Sequence, residues 1–435
     1  MTAALPAGPR TPTAWQTARW VARPLPFLQE AQARHGDVFT LRILREGPWV
    51  MVSDPNLVKQ VFTASPKVLH AGEGNQILEP ILGPRSILLL DEEKHLRQRK
   101  LMLPPFHGDR MERYGETMRV AAEAEVERWP AGTVAPAWPR MQAITLEVIL
   151  RAVFGVTEPA KLDPLRRALG ELLDFTAGSL RSAMLVLGGP DRLRRSRRYG
   201  FADVMAHADE LVLAEVARHR SDPDLESRDD ILSLLLQARD EDGAPMSDAD
   251  LRDELMTLLM AGHETTATSL AWALERLVRT PEALARTVAE ADAGGGPYTD
   301  AVIHETLRLR PVIPIVARKV KEPFELGDRV IPVGATITPS ILLMHRRPDV
   351  YPDPNAFRPE RFLDSPPGTY TWIPFGGGVR RCIGASFALF EMRVVLSTIL
   401  ARARVSAPEP AGERVRRRAI TLTPARGASV VIEPR

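Results

Sequence analysis

The residue types best suited to chemistry converge on one short stretch near the end of the chain. Cys382, the only cysteine among 435 residues, follows three consecutive glycines at 376–378 and precedes an apolar run, 385–400, that predicts a helix. The glycines predict a tight loop that delivers Cys382 to the first turn of this helix. Unpaired N–H groups and the helix dipole at such a position favour a thiolate.

A lone thiolate restricts the kinds of metal site that are possible. Zinc and iron–sulfur sites need several protein ligands, whereas a haem needs one axial thiolate and takes four nitrogens from its own ring. Considered alone, a single cysteine is also compatible with an inert residue of the core. The residues around Cys382 are therefore needed to decide between these two interpretations.

Those residues resemble the haem-binding loop of the cytochrome P450 family. The family pattern Phe-x-x-Gly-x-Arg-x-Cys-x-Gly is matched by Phe375, Gly378, Arg380, Cys382 and Gly384. The resemblance implies that Cys382 is the proximal ligand of the iron of haem b and that Phe375 packs beneath the haem. It further implies that Arg380 pairs with a haem propionate, with Gly376 and Gly384 as parts of the same cofactor-binding loop.

A second motif lies in the middle of the longest predicted helix. Ser247 predicts its start, and the proline-free run 248–280 corresponds to roughly 50 Å of helix. At its centre the polar sequence Gly-His-Glu-Thr-Thr, residues 262–266, interrupts apolar residues and predicts a break in the backbone hydrogen bonds. A polar kink without any catalytic role is the alternative interpretation.

This polar stretch resembles the P450 pattern Ala/Gly-Gly-x-Asp/Glu-Thr-Thr. The resemblance implies that Thr265 hydrogen-bonds the bound oxygen, that Glu264 belongs to the proton relay, and that Ala261 lies against the haem.

Basic residues elsewhere predict contacts with a carboxylate. Residues 91–103 predict a helix that places His95 and Arg99 on one face. By the resemblance, His95 and Arg99 hold a haem propionate and Arg318 is a further propionate partner. Without that resemblance, the same pair would be interpreted as a solvated basic face.

The resemblance also implies a buried ionic triad away from the haem. Glu305 and Arg308 are three residues apart on a predicted helix, 299–310, and Arg361 follows in a Pro-Glu-Arg-Phe sequence. In an isolated helix such a pair would contribute little to stability. In the family the triad locks the helix to the segment before the cysteine loop, and the second arginine adds donors to a desolvated carboxylate.

The fold class that follows is mainly α with minor β. Residue periodicity predicts helices at 55–63, 109–129, 141–154, 163–187, 193–219 and 229–238. It also predicts a β-hairpin at 36–53 and strands with glycine turns at 324–341 and 420–432. The resemblance implies one cytochrome P450 domain, 1–435, with a triangular helical body, a small β-rich region and no reductase module. In the family, residues 70–90 cover the substrate pocket, and the helices on either side of 188–190 form its roof.

Composition and the N-terminal segment limit the partners and the location. The net charge is only +2, from 57 basic and 55 acidic residues, which does not indicate nucleic-acid binding. Residues 1–30 are proline-rich and lack an apolar run long enough to span a membrane. The apolar residues Trp15, Trp20, Val21, Leu25 and Phe27 are compatible with contact to a membrane surface, but we expect them to pack this segment on the body of a soluble, monomeric protein. A single cysteine fits the reducing cytoplasm.

The function implied by the resemblance is that of a haem-thiolate monooxygenase. Such an enzyme hydroxylates or epoxidises a lipophilic small molecule, here expected to be a fatty acid, terpenoid or steroid, using O2 and two electrons. The chain has no G-x-G-x-x-G dinucleotide motif, so we expect a separate ferredoxin or flavodoxin, with its reductase, to supply the electrons. A basic patch of Lys94, Arg97, Lys100 and Arg381 is the expected docking face for this acidic donor.

Two alternative functions use the same cofactor. One is a peroxygenase-like or isomerase-like haem-thiolate enzyme, which would dispense with the proton relay; the intact Glu264–Thr265 pair argues against it. The other is a non-catalytic haem-binding sensor, which requires neither an apolar pocket nor oxygen chemistry. A carbon monoxide difference spectrum, together with a spin shift induced by substrate, separates the sensor from the enzyme.

Overall fold

Helices make up most of the architecture. A computed structural model describes residues 3–106, 110–156, 158–177 and 201–435. The helices are α1 (Thr13–Ala22), α2 (Pro24–His35), α3 (Pro55–Thr63), α4 (Glu79–Leu82), α5 (Glu92–Met102), α6 (Arg110–Glu127), α7 (Ala137–Phe154), α8 (Pro159–Ala177), α9 (Phe201–Arg220), α10 (Ile231–Gln237), α11 (Asp248–Leu277), α12 (Pro281–Ala291), α13 (Pro297–Leu309), α14 (Ile341–Met344), α15 (Arg361–Asp364) and α16 (Ala385–Arg402).

Short strands form a five-stranded sheet and smaller ones. The strands are β1 (Val38–Ile43), β2 (Gly47–Val52), β3 (Leu69–His70), β4 (Val134–Pro136), β5 (Arg318–Val320), β6 (Phe324–Leu326), β7 (Arg329–Ile331), β8 (Thr336–Pro339), β9 (Ala403–Ser406), β10 (Val415–Arg418), β11 (Thr421–Pro424) and β12 (Ser429–Pro434). The five-stranded sheet has the order β1-β2-β8-β5-β3, with only the β2–β8 pair parallel. Another sheet has the order β4-β12-β9, and β6–β7 and β10–β11 are hairpins. The predicted mixture of many helices and little sheet is confirmed.

The largest core cluster surrounds the central helix α11, which packs against α7 and α16. The helix begins with a capping box, in which the Ser247 side chain accepts from the Asp250 N–H and the Asp250 carboxylate accepts from the Ser247 N–H. It ends at Leu277, three residues before the predicted end, and is continuous through its polar centre. The predicted break is therefore wrong. The hydroxyls of Thr265 and Ser269 instead donate to the carbonyls of Ala261 and Thr265, at 2.7 and 2.8 Å.

The N-terminal segment folds into the two helices α1 and α2. Trp20 and Phe27 are buried against residues of the five-stranded sheet, as expected from their apolar character. Trp15 and Val21, however, are 57% and 48% exposed. The expectation that they also pack on the body is wrong, because α1 turns them away from the sheet.

The predicted triad forms between α13 and the segment that leads to the cysteine loop. Glu305 accepts from the Arg308 Nε at 2.6 Å and from the Arg361 Nε at 3.2 Å. The side chains of Glu305 and Arg308 are fully buried. This segment leads into the cysteine loop, so the triad anchors the start of that loop to α13.

Several predicted helices differ from the observed ones at their ends. The prediction for 141–154 starts four residues late, because α7 begins at Ala137 before Pro139, and the helix α12 was not predicted. The predictions 163–187 and 193–219 correspond to α8 and α9, but 178–187 and 193–200, including the predicted roof of the pocket, lie outside the described residues. Within the described part of the chain, no helix is both long and apolar enough to cross a membrane.

Candidate active site around Cys382

The cysteine loop is shaped by its contact with α3. The backbone of Gly376 and Gly378 has φ of 66° and 65°, a region that side chains with a Cβ disfavour. A Cβ on Gly378 would also lie 1.9 Å from the Phe62 carbonyl oxygen. Glycines thus let the loop pass directly over the end of α3 and turn back. The turn is closed by the Cys382 N–H, which donates to the Phe375 carbonyl at 2.9 Å.

Cys382 lies three residues before α16 rather than in its first turn. Its sulfur accepts from the Gly384 N–H, and Arg381 and Arg99 lie nearby, but burial outweighs these contacts and raises the pKa of the thiol. The predicted preference for a thiolate is therefore wrong for the thiol by itself. A metal cation bonded to the sulfur would stabilise the thiolate.

Cys382 and one residue of the central helix have solvent-accessible surface although buried residues lie on either side of them in the chain. Cys382 lies deep in the protein and yet keeps accessible surface. The same holds for Ala261, which is exposed in the middle of a helix whose flanking turns are buried. Next to Thr265, Thr266 hydrogen-bonds Glu391 of α16, so the helix that carries Ala261 is joined to the helix that follows the cysteine loop. The central helix and the cysteine loop thus each present accessible surface between buried residues.

Phe375, the first residue of the cysteine loop, packs against the core. It contacts the main core cluster and meets Trp372 edge-on, with ring centroids 5.8 Å apart. This contact fixes the start of the cysteine loop against the core.

A group of basic side chains lies beside the cysteine loop. Among them, Arg380 is engaged with protein groups: it donates to the carbonyls of Ile87 and Leu90 and to the Asp91 carboxylate, at 3.0, 2.5 and 3.0 Å. Asp91 also accepts from three consecutive backbone N–H groups, those of residues 71–73. Arg380 therefore ties the cysteine loop to the loop before α5, a role that the motif alone did not indicate.

The other basic groups lack such partners. Arg318 is buried and donates only to the carbonyl of Ala317 among the described residues, and burial lowers its pKa to about 10. Half-buried Arg99 has no ion-pair partner in the described part of the chain. Burial beside Arg380, Arg99 and Arg318 lowers the pKa of His95 to about 3, so this imidazole is a neutral hydrogen-bonding group.

This arrangement fits haem b. Buried cations without anions are costly, so Arg99 and Arg318, with the neutral hydrogen-bonding group of His95 beside them, are suited to receive a ligand with carboxylates. Haem carries two propionate carboxylates, and its iron needs one protein ligand, a role for which the sulfur of Cys382 is chemically suited. The donor set and the accessible internal surface thus match the group that the sequence predicts.

The side chain of Glu264 is held by residues from two other elements, α7 and β10. It accepts from Gln142 of α7 at 3.0 Å and pairs with Arg418 of β10 at 3.3 Å. Burial raises its pKa, while Arg418 and Gln142 act in the opposite direction. The raised pKa favours the protonated form of this carboxyl group, which suits it to deliver a proton.

Sequence reasoning missed Asp91, Gln142 and Arg418 as parts of this site. Gln142 and Arg418 come from α7 and from the C-terminal hairpin, more than a hundred residues from Glu264 in either direction, and nothing in their local sequence marks them. Asp91 was recognised only as the start of a helix. Its spacing before His95 and Arg99 was a signal that could have found it.

The family model for cytochrome P450 matches residues 6–430, and the chain belongs to the cytochrome P450 family. It is 43% identical over 432 residues to the putative cytochrome P450 135B1 of Mycobacterium tuberculosis, covering 98% of this chain and 91% of that protein. It is 41% identical to the putative cytochrome P450 138 of the same organism, covering 99% and 97%. The chain is a haem-b-dependent monooxygenase, and enzymes of this family use O2 and electrons from a redox partner.

Solved structures have the same fold. The retinoic acid-bound cyanobacterial CYP120A1 superimposes with a TM-score of 0.83 at 22% identity, covering 99% of this chain and all of that one. The haem domain of cytochrome P450DA gives a TM-score of 0.82 at 25% identity, covering 99% and 98%. The first likeness establishes the architecture and carries no information on the substrate.

Proposed function

We propose that this enzyme hydroxylates or epoxidises a lipophilic small molecule of the fatty acid, terpenoid or steroid class. Electrons come from a separate ferredoxin or flavodoxin with its reductase. The observation that carries the proposal is the position of Cys382: a lone, deeply placed cysteine with accessible surface, beside buried cations that lack anions. When bound through a thiolate, haem activates O2 so that one oxygen atom enters the substrate and the other leaves as water.

The residues divide into three roles. Cys382 ligates the iron, within a loop that Phe375, Gly376 and Gly384 shape. His95, Arg99 and Arg318 hold the propionates, and Arg380 supports them through its remaining N–H groups. Ala261, Thr265 and Glu264 lie on the oxygen side, where Thr265 passes a proton that Glu264 supplies, and Arg418 and Gln142 hold Glu264.

An apolar substrate is supported by the residues around the accessible surface of the central helix. Leu78 and Leu88 of the 70–90 segment and Met260 of α11 are partly buried and pack against the main core cluster. Asp253 and Glu254 accept from the N–H groups of Arg85 and Ile87, both at 2.8 Å. The central helix therefore holds the segment that covers the pocket.

Replacing Cys382 by serine tests the site. We expect the variant to fold but to lose the red-shifted Soret band of the reduced carbon monoxide complex, since the chain has no other cysteine. Val379→Ser, at an exposed position of the same loop, is the matched control and should keep the band. A red-shifted band in Cys382→Ser would refute the assignment. A library of lipophilic compounds, screened for spin shifts, would then identify the substrate class.

Thr265→Ala tests the oxygen chemistry. The variant should bind haem and substrate normally, but the product formed per electron consumed should fall about tenfold, which is about 1.4 kcal/mol, as peroxide forms instead. Ser269→Ala is the control, because this hydroxyl makes the same back-bond one turn away from a buried position. Unchanged coupling in Thr265→Ala would mean that Thr265 is only a structural residue of the helix and that another group carries the proton.

A further inference from the structure

Exposed apolar side chains are concentrated around α1. In the described part of the chain twelve large apolar residues are exposed, and five lie on α1 or on elements near it: Trp15, Val21, Leu44, Val415 and Ile420. The Leu44 N–H donates to the Thr17 hydroxyl. The β10–β11 hairpin, which carries Val415 and Ile420, reaches α1 through Arg417, whose guanidinium stacks over Trp20. We call these five residues the apolar patch.

The orientation of α1 that creates this patch is fixed by a polar residue. Gln16 is fully buried, and its amide donates to the carbonyls of Pro9 and Thr11 and accepts from the Arg42 N–H, at 3.1, 2.8 and 2.9 Å. The outward face then consists only of apolar residues, Ala14, Trp15, Ala18, Val21 and Ala22, all exposed. Rotating the helix to hide them would leave the Gln16 amide without these bonds.

The charges around the apolar patch have one dominant sign. Residues 1–29 and 414–432 contain no aspartate or glutamate. Arg10, Arg23, Arg414 and Arg416 are exposed and have no ion-pair partner within the described residues. Two carboxylates lie close to the patch: Glu46, which follows Arg45 in the turn after Leu44, and Glu30, which pairs with Arg19 of α1. A protein with a net charge of only +2 thus carries a basic region around an exposed apolar face.

We propose that the apolar patch docks the enzyme peripherally on an anionic lipid bilayer. An apolar helix face with a tryptophan and flanking arginines is the pattern of interfacial helices, in which the rings enter the headgroup region and the cations meet anionic lipids. The ten residues of α1 are too few to cross a bilayer, so the helix lies in the surface. This docking does not depend on haem, and its failure would leave the proposed oxidation intact.

Vesicle binding by the holoenzyme tests the proposal. Equimolar phosphatidylcholine–phosphatidylglycerol vesicles should sediment the protein at low salt. Pure phosphatidylcholine should retain at least tenfold less, and about 1 M salt should weaken binding to the mixed vesicles. The double variants Trp15→Ser with Val21→Ser and Arg10→Glu with Arg23→Glu should each lower binding at least tenfold.

Matched controls remove similar groups elsewhere. Val120→Ser with Leu213→Ser removes two other exposed apolar side chains, and Arg97→Glu with Lys100→Glu makes the same change of charge; both should bind as the unaltered protein does. The carbon monoxide spectrum checks that every variant is folded. The fluorescence of Trp15, identified as the emission that is lost in Trp15→Phe, should shift to shorter wavelength when vesicles bind, because the indole ring moves from water into the lipid.

Three results would overturn the proposal. The first is failure to bind the mixed vesicles, and the second is binding that neither patch variant reduces. The third is a dimer in solution that Trp15→Ser with Val21→Ser dissociates while no vesicle binding occurs. In that case the apolar patch joins two copies of this chain.

Discussion

Two groups of buried charges in this protein look alike in sequence but differ in how completely they are paired. In the triad, Arg308 donates to both oxygens of Glu305 and to the carbonyls of His345, Pro354 and Ala356. Near Cys382, by contrast, Arg318 donates only to its neighbouring carbonyl in the described structure, and Arg99 has no ion-pair partner there. The first group is complete within the protein, whereas the second requires an anion from outside.

This difference separates a structural ion network from a ligand site. Burying a charge costs free energy that only partners can offset. Where the chain supplies all partners, the charges hold the fold together. Where it supplies cations and few anions, the remaining compensation must come from a bound group, and we propose that the propionates of haem supply it here. Completeness of pairing is a property of the fold, and variants of each group should respond differently.

The largest effect is expected when the complete network loses its anion. Glu305→Gln keeps the shape but leaves Arg308, which is fully buried, without its counter-charge. We expect the free energy of unfolding in urea to fall by about 3–5 kcal/mol. Glu116→Gln, which removes an exposed carboxylate from Arg119, is the control and should leave the unfolding midpoint unchanged. Equal effects of the two changes would mean that the triad is not a stabilising unit.

A buried carboxyl group without a cation gives the next largest effect, and it depends on pH. Glu254 is buried, accepts from the Ile87 N–H, and has no ion-pair partner in the described chain; burial raises its pKa to about 8. Between its ordinary pKa and this value the folded protein binds the extra proton, so stability falls as pH rises. Between pH 6 and pH 8 the free energy of unfolding of the parent protein should fall by roughly 2 kcal/mol more than that of Glu254→Gln.

Urea unfolding at both pH values measures this difference. Glu116→Gln is again the control, because exposed Glu116 has a lowered pKa and titrates well below this range. If the parent and Glu254→Gln lost the same stability, Glu254 would be ionised in the folded protein at pH 6.

For the basic cluster near Cys382, which lacks anions, we expect a small change in stability and a larger change in haem binding. Arg318→Met removes a buried cation that has little compensation, so the stability of the haem-free protein should change by less than about 1 kcal/mol. Haem should transfer to apomyoglobin about tenfold faster, which is about 1.4 kcal/mol. Lys319→Met, the next residue of β5 on the other face of the strand, should show neither change. A strong loss of stability with normal haem retention would place Arg318 among the structural arginines.

The sequence predicted much of this comparison, but not the pairing itself. Local patterns were enough for α3, where Asp54 accepts from the Asn56 and Leu57 N–H groups, and for the capping box at Ser247. Motif spacing also found the triad. It did not reveal that Arg380 is held by Asp91 or that Arg418 reaches Glu264, because these contacts join residues about 290 and 154 positions apart. The break predicted in α11 failed because threonine and serine hydroxyls could bond within the helix.

Pairing also refines the docking face for the electron donor, where the smallest effect is expected. The sequence treated Lys94, Arg97, Lys100 and Arg381 as equivalent, but Arg97 pairs with Asp240 and Lys100 with Glu241. Lys94 and Arg381 are exposed and have no ion-pair partner among the described residues. They are therefore the cations that an acidic ferredoxin or flavodoxin can contact directly.

We expect Lys94→Gln and Arg381→Gln to slow reduction severalfold at low salt and to leave the carbon monoxide spectrum intact. Arg97→Gln, on the same helix as Lys94 and with the same change of charge, should have a smaller effect because Asp240 already engages it. Stopped-flow reduction measures these rates. The differences should vanish near 1 M salt, where the Debye length falls from about 10 Å at 0.1 M to about 3 Å.

Equal slowing by Arg97→Gln and Lys94→Gln would show that the field of the whole helix, rather than individual contacts, guides the donor. Rates indifferent to all three changes would place the docking face elsewhere.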